Sequence, residues 1–347
     1  MIEINGFKNN AWRDNYNPLR GMNLPRVVSL LETGERGAFA DLQWFYHYME
    51  RSDAMIHAVV HRRRAAMLGC DWDIRQVPVG TAGDCRPQTA DQRPGDRVLA
   101  EEQAAFLREA YDRVENFRDA VSFLFSGVFR GYSHVEKHLD ASGMVTRLEP
   151  VEQWFWVRDG MFGEWEYNRE ARSGVNRGEP VDAGNFLVTD SVAIDRMLAI
   201  LYLRKNLSQR DWDSFLEVYG IPSVFVIGPP NVPESKESAY QTIAADILSD
   251  GRGYLPNGSD LKYVNGGGDK PPFQEHIDYL DRQITIAATG GLLTMLSAPG
   301  TGTLAGSAHQ ETFNAIARGD AAMLSEVFQE QFDGPLLREF FPGDPVL

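Results

Sequence analysis

Cysteine is scarce in this sequence, and it has neither a long apolar run nor a recognisable export signal. Only Cys70 and Cys85 occur in 347 residues, too few for a disulfide framework, so reduced thiols are expected. No stretch of about 18 apolar residues occurs, which argues against a membrane span. The N-terminal stretch MIEINGFKNNAWRDNYNPLRG lacks the charged and apolar regions of a signal peptide. We therefore expect no membrane partner.

Basic charge is also in deficit. The chain has 49 Asp and Glu against 34 Lys and Arg, for a formal net charge of −15. Proteins that grip nucleic acid usually carry the opposite sign. A protein past which DNA must slide is expected to be acidic or neutral along the path, whereas many soluble proteins are acidic for solubility alone. Charge by itself leaves both alternatives open.

What the sequence does have is a glycine-rich run near its end, SAPGTGTLAGSAHQE. A phosphate-binding P-loop needs a Lys followed by Ser or Thr after its last glycine, but Gly306 is followed by Ser307 and no Lys lies nearby. The run from Gly300 to Ala305 fits a loose dinucleotide pattern, which is meaningful only between a strand and a helix. The preceding stretch is predicted to be helical. We therefore expect no nucleotide cofactor, and a surface loop is the simplest alternative.

The histidines do not form a convincing metal site. On a strand, His134 and His138 would lie about 13 Å apart at about 3.3 Å per residue, too far to share one ion. His57 and His61 would share a helix face, but no third ligand is evident. No Ser-His-Asp or Cys-His set stands out either. The sequence predicts core or surface histidines, no metal, and no enzymatic activity.

Apolar spacing predicts a mixed helix and strand protein of two or three domains. Long helices are predicted at about 39–68, 96–114, 191–219 and 272–290, with a short one near Pro25 and a last one after 309. CDWDIRQVP alternates like a strand, and several short strands are predicted after Gly131. The two helices at 191–219 and 272–290 bracket a small αβ segment, with a strand in IPSVFVIGPP and a hairpin that turns at Pro256–Gly258.

Two further features of the sequence allow two interpretations each. The run HRRR, from His61 to Arg64, is either a phosphate-binding patch or, as we favour, a solvated helix face or subunit contact. An aromatic cluster is either an intersubunit patch or a local core. Its members are Trp154, Phe155, Trp156, Phe162 and Trp165.

Several spaced motifs resemble the Mu-like phage portal protein family. YNPLRGM carries the first of them, through Asn17, Pro18 and Arg20. SQRDWDSFLEVYGIPSVF is similar to a second motif, whose members here are Arg210, Asp211, Trp212, Tyr219, Gly220 and Pro222. The helical stretch around Glu50, Asp53 and Arg63 also fits. The resemblance runs from about residue 15 to 340, and ordered motifs are far more specific than any one.

The resemblance implies an α+β portal fold with a wing, two stem helices that bracket an αβ clip, and a tunnel loop. The implied boundaries are an N-terminal arm at 1–38, a wing at 39–190, stem helix 1 at 191–220, a clip at 221–271, stem helix 2 at 272–290, a tunnel loop at 291–308, a wing helix at 309–333 and a short C-terminal tail at 334–347. It leaves any C-terminal crown short or absent.

The implied function is a ring of twelve subunits at one capsid vertex, through which double-stranded DNA is packaged and ejected without sequence specificity. The implied partners are further copies of the chain, the major capsid protein, the large terminase and head–tail connector proteins. The implied location is the virion, and the host cytoplasm during assembly. The alternatives are another virion connector or head-completion ring, and a nucleotide-binding enzyme that uses the glycine-rich loop.

The resemblance also gives the glycine-rich loop a role, as the segment that faces DNA. The residues LLTMLSAPGTGTLAGSA include no Lys, Arg, Asp or Glu, which suits a sliding contact because each neutralised phosphate would add salt-dependent affinity. The predicted channel residues are Thr294, Ser297, Thr301, Gly302, Thr303 and Ser307.

Overall fold

The protein is described from a computed structural model that covers residues 22–75, 94–219, 223–227, 238–239, 241–243, 260–264, 272–292 and 303–342. The chain divides into two compact units. The first consists of Met1–Leu203 and Asp281–Leu347, and the second is Arg204–Leu280. No helix in the described ranges combines the length and apolar character that crossing a membrane requires.

The helices of the described chain follow the predicted order closely. They are α1 (Leu24–Glu35), α2 (Ala40–Ser52), α3 (Ala54–Leu68), α4 (Pro94–Asp112), α5 (Phe117–Leu124), α6 (Ser126–Arg130), α7 (Asp195–Tyr219), α8 (Phe273–Thr289), α9 (Thr303–Phe328) and α10 (Gly334–Phe340). The helices predicted at 191–219 and 272–290 are confirmed as α7 and α8.

The single helix predicted over 39–68 is wrong in one respect, because it breaks at Asp53. Asp53 has an extended backbone, and its carboxylate accepts hydrogen bonds from the backbone N–H groups of Met55 (2.9 Å) and Ile56 (3.0 Å). This is the usual N-cap arrangement, which satisfies donors that a helix start leaves free. The chain therefore ends α2 and begins α3 at a buried cap.

The strands lie mostly in the first unit. They are β1 (Tyr132–Leu139), β2 (Val145–Val151), β3 (Trp156–Arg158), β4 (Trp165–Tyr167), β5 (Glu179–Pro180) and β6 (Phe186–Asp190). One antiparallel sheet has the order β2-β1-β6, and His134 in β1 lies opposite Val151 and Val188. A second antiparallel sheet has the order β3-β4-β5. Residues 71–75, predicted to begin a strand, form none.

An aromatic core joins these two sheets. Trp156 has no exposed surface, and its ring stacks on His134 with 3.7 Å between ring centroids. Trp154, Phe155 and Tyr167 belong to the same buried cluster, and Trp165 packs against it partly buried. The aromatic cluster predicted from sequence is therefore local core, except for Phe162, which is 94% exposed.

The C-terminal part of the first unit contains a π-helix, Gln329–Asp333, between α9 and α10. The side-chain amide of Gln331 donates to the Val188 carbonyl (3.0 Å) and accepts from the Val188 N–H (2.6 Å). It thus occupies backbone groups of β6, the outer strand of its sheet. The segment predicted as a short tail, 334–347, begins with α10, and Pro335 suits its first helical turn.

The second unit contains most of α7, the start of α8, and strands β7 (Ser223–Ile227) and β8 (Asp260–Val264). The two strands are antiparallel, with Ser223 opposite Val264 and Ile227 opposite Asp260. β8 thus pairs with the strand that follows α7. The turn predicted at Pro256–Gly258 lies outside the described residues.

Candidate functional site

Within the second unit, α7 and α8 meet through aromatic rings. Trp212 and Phe273 lie nearly parallel, with 6.4 Å between centroids and 13° between ring planes, and Phe215 also contacts Phe273 at 5.9 Å. Buried or half-buried aromatic pairs of this kind stabilise a contact beyond the area they cover. The motif residue Trp212 therefore helps to join the two helices on either side of the strand pair.

The other motif residues have more modest positions or lie outside the described chain. Arg210 and Asp211 form an exposed ion pair (2.8 Å) on the surface of α7, and such pairs stabilise folds little. Tyr219 is the last residue of α7. Asn17, Pro18, Arg20, Gly220 and Pro222 lie outside the described residues.

The glycine-rich loop is shorter than predicted. Thr303 and Ser307, assigned to the loop from the sequence, are in the first two turns of α9. The prediction overweighted Gly306, whose cost in a helix is about 1 kcal/mol relative to Ala, a small cost to a helix of 26 residues. Thr294, Ser297, Thr301 and Gly302 lie outside the described residues.

The two helices that flank this segment meet at Arg63 in α3. The Arg63 guanidinium donates through Nε and Nη2 to both carboxylate oxygens of Asp320 in α9, at 2.7 and 2.8 Å, and through Nη1 to the Ala288 carbonyl of α8 at 2.8 Å. Its side chain is only 11% exposed. One side chain therefore holds the last turn of α8 and the middle of α9.

Gly290 completes the end of α8. Its φ is +70°, and its N–H donates to the Ile286 carbonyl (2.9 Å), so it ends the helix in the left-handed conformation that glycine favours. A Cβ at this position would lie 2.8 Å from Cδ1 of Ile316 in α9. The chain thus leaves α8 in close contact with α9.

A buried charge cluster lies where α7 begins. Arg130 in α6 donates to both carboxylate oxygens of Glu50 in α2, at 2.8 and 2.7 Å, and to the Gln153 side chain at 3.1 Å. Asp195, the first residue of α7, is completely buried. Burial raises the pKa of Asp195 well above its usual range, and the neighbouring Glu50 carboxylate raises it further.

The protonation states of this cluster follow from that arrangement. Burial alone would raise the pKa of Glu50, but the charge and hydrogen bonds of Arg130 outweigh burial and lower it. The arrangement therefore favours the ionised form of Glu50, which pairs with Arg130, and the neutral form of Asp195. Burial, and then the Arg130 charge, lowers the pKa of His47 to about 4, so His47 is neutral and its Nδ1 accepts from Arg130 (3.3 Å).

The family of the chain follows from its sequence profile. The family described as "Portal protein of Mu bacteriophage" matches residues 43–346, most of the chain. The chain belongs to this family of Mu portal proteins. It is 23% identical over 352 aligned positions to the portal protein of Escherichia phage Mu, which covers 94% of this chain and 62% of that protein. It is 22% identical over 335 positions to the Mu-like prophage FluMu protein gp29 of Haemophilus influenzae, covering 92% and 61%.

The chain thus spans about three fifths of the length of these curated relatives. A solved structure, the neck of a native GTA particle computed with C12 symmetry, shares the fold at a TM-score of 0.51 with 14% sequence identity. The alignment covers 84% of this chain and 76% of that one. The mixed helices and small sheets are accordingly a phage portal fold, as predicted.

HRRR matches neither of its two interpretations at Arg62 and Arg63, because both arginines contact other helices of the same chain. Arg63 is buried in the contact described above, and the Arg62 guanidinium lies over the Phe313 ring of α9 at 5.2 Å. Burial lowers the pKa of Arg64. Of the four residues, only His61 is exposed. The favoured interpretation, a solvated helix face or a subunit contact, is therefore wrong for Arg62 and Arg63, which pack between helices of one chain. His61 also lies beside His57, with 4.1 Å between ring centroids.

Sequence reasoning missed the roles of Arg130 and Asp195. One signal was available, because Arg130 ends the apolar run SFLFSGVFR, and a charge in such a run needs a buried partner. Which acid would supply that partner was not readable, since Glu50 is 80 residues away along the chain.

Proposed function

We propose that this chain is the subunit of a portal ring at one vertex of a phage capsid, through whose channel double-stranded DNA is packaged and ejected. The observation that carries the proposal is the second unit, in which α7 and α8 flank the β7–β8 pair and contact each other through Trp212 and Phe273. In a member of the Mu portal family, this order fits two stem helices around a clip. We assign α7 and α8 as the stem and 221–271 as the clip.

The remaining assignments follow the same proposal. The wing comprises 39–190 together with α9, and 293–302 is the tunnel segment, shortened from the predicted 291–308 because α9 begins at Thr303. The channel contacts proposed here are Thr294, Ser297, Thr301 and Gly302. A twelve-subunit ring is supported by the C12 symmetry of the neck structure that shares the fold.

We further propose a structural rather than a catalytic role, in the virion and, during assembly, in the host cytoplasm. The ring would contact the major capsid protein, the large terminase and connector proteins. Within the described ranges, His, Cys, Asp and Glu form no group of three or more able to hold a metal ion.

A charge added to the tunnel segment tests its role. We expect Thr301→Lys to slow DNA packaging while rings still form, because an added lysine gains salt-dependent contacts with phosphate. The defect should shrink as the salt concentration rises. Ser325→Lys, which adds the same charge at an exposed position on α9, is the matched control. Packaging by Thr301→Lys at the rate of the unmodified protein would count against the assignment.

A further inference from the structure

Arg63 makes contacts that a simple ion pair does not require. Its three donor atoms engage two different helices, with Asp320 of α9 on one side and the Ala288 carbonyl of α8 on the other. Only an arginine offers several donors in one rigid plane, whereas lysine has a single ammonium on a flexible stem. The geometry of the contact therefore depends on the guanidinium and not on charge alone.

The carbonyl that accepts from Arg63 Nη1 lies in the last turn of α8. Ala288 is the second-last residue of this helix, and the last carbonyls of a helix have no partner within it. The helix end also carries partial negative charge, which a cation stabilises. Arg63 thus caps α8 from a neighbouring helix, while Gly290 ends it against Ile316.

Both members of the ion pair between Arg63 and Asp320 are sheltered from water. The side chain of Arg63 is 11% exposed and that of Asp320 is 9% exposed. The Arg63 guanidinium also lies near the Phe129 ring, at 5.7 Å from its centroid. Charged hydrogen bonds in such surroundings are screened little, so the three groups are held in one arrangement.

We infer that Arg63 is a positioning residue that fixes the C-terminal turn of α8 relative to α9. Arg63 thereby sets where the chain leaves α8 and where α9 lies beside it. The consequence for DNA passage rests on the proposed portal function, because these two helices flank the proposed tunnel segment. The spatial coupling itself is a property of the first unit and does not depend on that function.

The coupling is measurable as a distance distribution between spin labels. Labels placed on the full chain at Ile286→Cys in α8 and Ala315→Cys in α9, both exposed positions, report the helix pair after Cys70 and Cys85 are changed to serine. Labelled subunits are diluted with unlabelled protein, so that each distance comes from one chain. A second pair of labels, at Ala315 and Ser325 within α9, reports whether α9 itself remains folded.

We expect a narrow α8–α9 distribution in the unmodified protein and a clearly broader one in both Arg63→Gln and Arg63→Lys, while the pair within α9 stays narrow. Arg113→Gln, which removes an exposed arginine from a surface pair with Glu109, should leave both narrow. If Arg63→Gln fails to fold, Arg63→Lys still decides, because it keeps the positive charge beside Asp320.

A narrow α8–α9 distribution in Arg63→Lys would overturn the inference, since charge alone would then suffice. Rings of Arg63→Lys should also package DNA more slowly than rings of Arg113→Gln. The α8–α9 distribution could broaden in both Arg63 variants although the unmodified chain forms no rings. That result would support the positioning role and reject the portal function, so a failure of one proposal can be told from a failure of the other.

Discussion

At the scale of single residues, two carboxyl groups in the buried cluster differ in whether they have a cationic partner. Glu50 is the counter-ion of Arg130, which is 7% exposed, whereas Asp195 is completely buried and, among the described residues, has no cation within hydrogen-bonding distance. A buried charge without its partner is strongly destabilising, but a neutral buried acid resembles an amide in shape and hydrogen bonding. The two positions should therefore respond differently to the same kind of substitution.

We expect Glu50→Gln to lower the free energy of unfolding at pH 7 by about 3–5 kcal/mol, because it leaves Arg130 buried without a counter-charge. Asp195→Asn should change it by less than about 1 kcal/mol, since an amide, like the protonated acid, places no charge beside Glu50. Urea unfolding followed by tryptophan fluorescence measures both. Equal losses in the two variants would show that Asp195 is ionised in the folded protein.

Asp333 provides a second test at the residue scale, this time by pH. Burial raises the pKa of Asp333 to about 6, although the hydrogen bond from the Tyr111 hydroxyl (2.7 Å) acts in the opposite direction. The folded protein therefore binds this proton more tightly than the unfolded chain. The resulting stability is fully present below the ordinary pKa of 3.8 and is lost as pH rises through about 6.

Asp333→Asn keeps an oxygen that accepts from Tyr111 but cannot ionise. We expect its free energy of unfolding, relative to the unmodified protein, to rise by roughly 2 kcal/mol between pH 4 and pH 7.5. Unfolding of both proteins at the two pH values measures the difference. A constant difference between the two proteins would mean that Asp333 titrates at its ordinary pKa.

At the scale of elements, the turn between β3 and β4 carries two exposed apolar side chains at its tip. Phe162 is 94% exposed and Met161 54% exposed. Below them, Asp159 pairs with Arg177 at 2.6 Å, and the Gly160 N–H donates to the Arg36 carbonyl at 3.2 Å. Ring contacts between identical subunits bury different patches of neighbouring copies, and an exposed aromatic residue on a turn suits such a contact.

We expect Phe162→Ser to leave the free energy of unfolding of the isolated chain within about 0.5 kcal/mol, because the side chain buries almost nothing within its own subunit. The same substitution should lower the fraction of protein in rings at a given concentration. Thermal unfolding and sedimentation velocity measure the two effects. Full ring formation by this variant would exclude the turn from the subunit interface.

The elements also show what sequence patterns could and could not predict. Apolar spacing placed α7 and α8 within a few residues, because each helix has a continuous apolar stripe. The break at Asp53 was missed, since the helical pattern continues across it and only the cap geometry reveals the end. The start of α9 was misplaced because glycine was given more weight than the helix that follows it.

The candidate site was less predictable than the elements. The motif residue Arg63 was singled out, but its link between Ala288 and Asp320 joins positions 225 and 257 residues away. Such contacts depend on how helices pack, and a single sequence does not specify that. Trp156 and His134 could be expected to be buried, whereas their stacking requires the pairing of β1 with its neighbours and of β3 with β4.

At the scale of the whole molecule, the central claim is that copies of this chain assemble into a ring with a channel. Family membership, the shared fold and the position of the β7–β8 pair between α7 and α8 along the chain all support it. The net charge of −15 is consistent with a channel through which DNA slides without strong binding. Every role proposed for the segment at 293–302 depends on this assembly.

Electron microscopy of the purified full chain tests that claim most directly. Particles would be imaged over a range of protein and salt concentrations, because ring assembly is concentration-dependent. We expect closed rings with a central hole, and class averages that show rotational symmetry, with twelve subunits as the proposed number. Compact single chains at every concentration and salt condition would contradict the account.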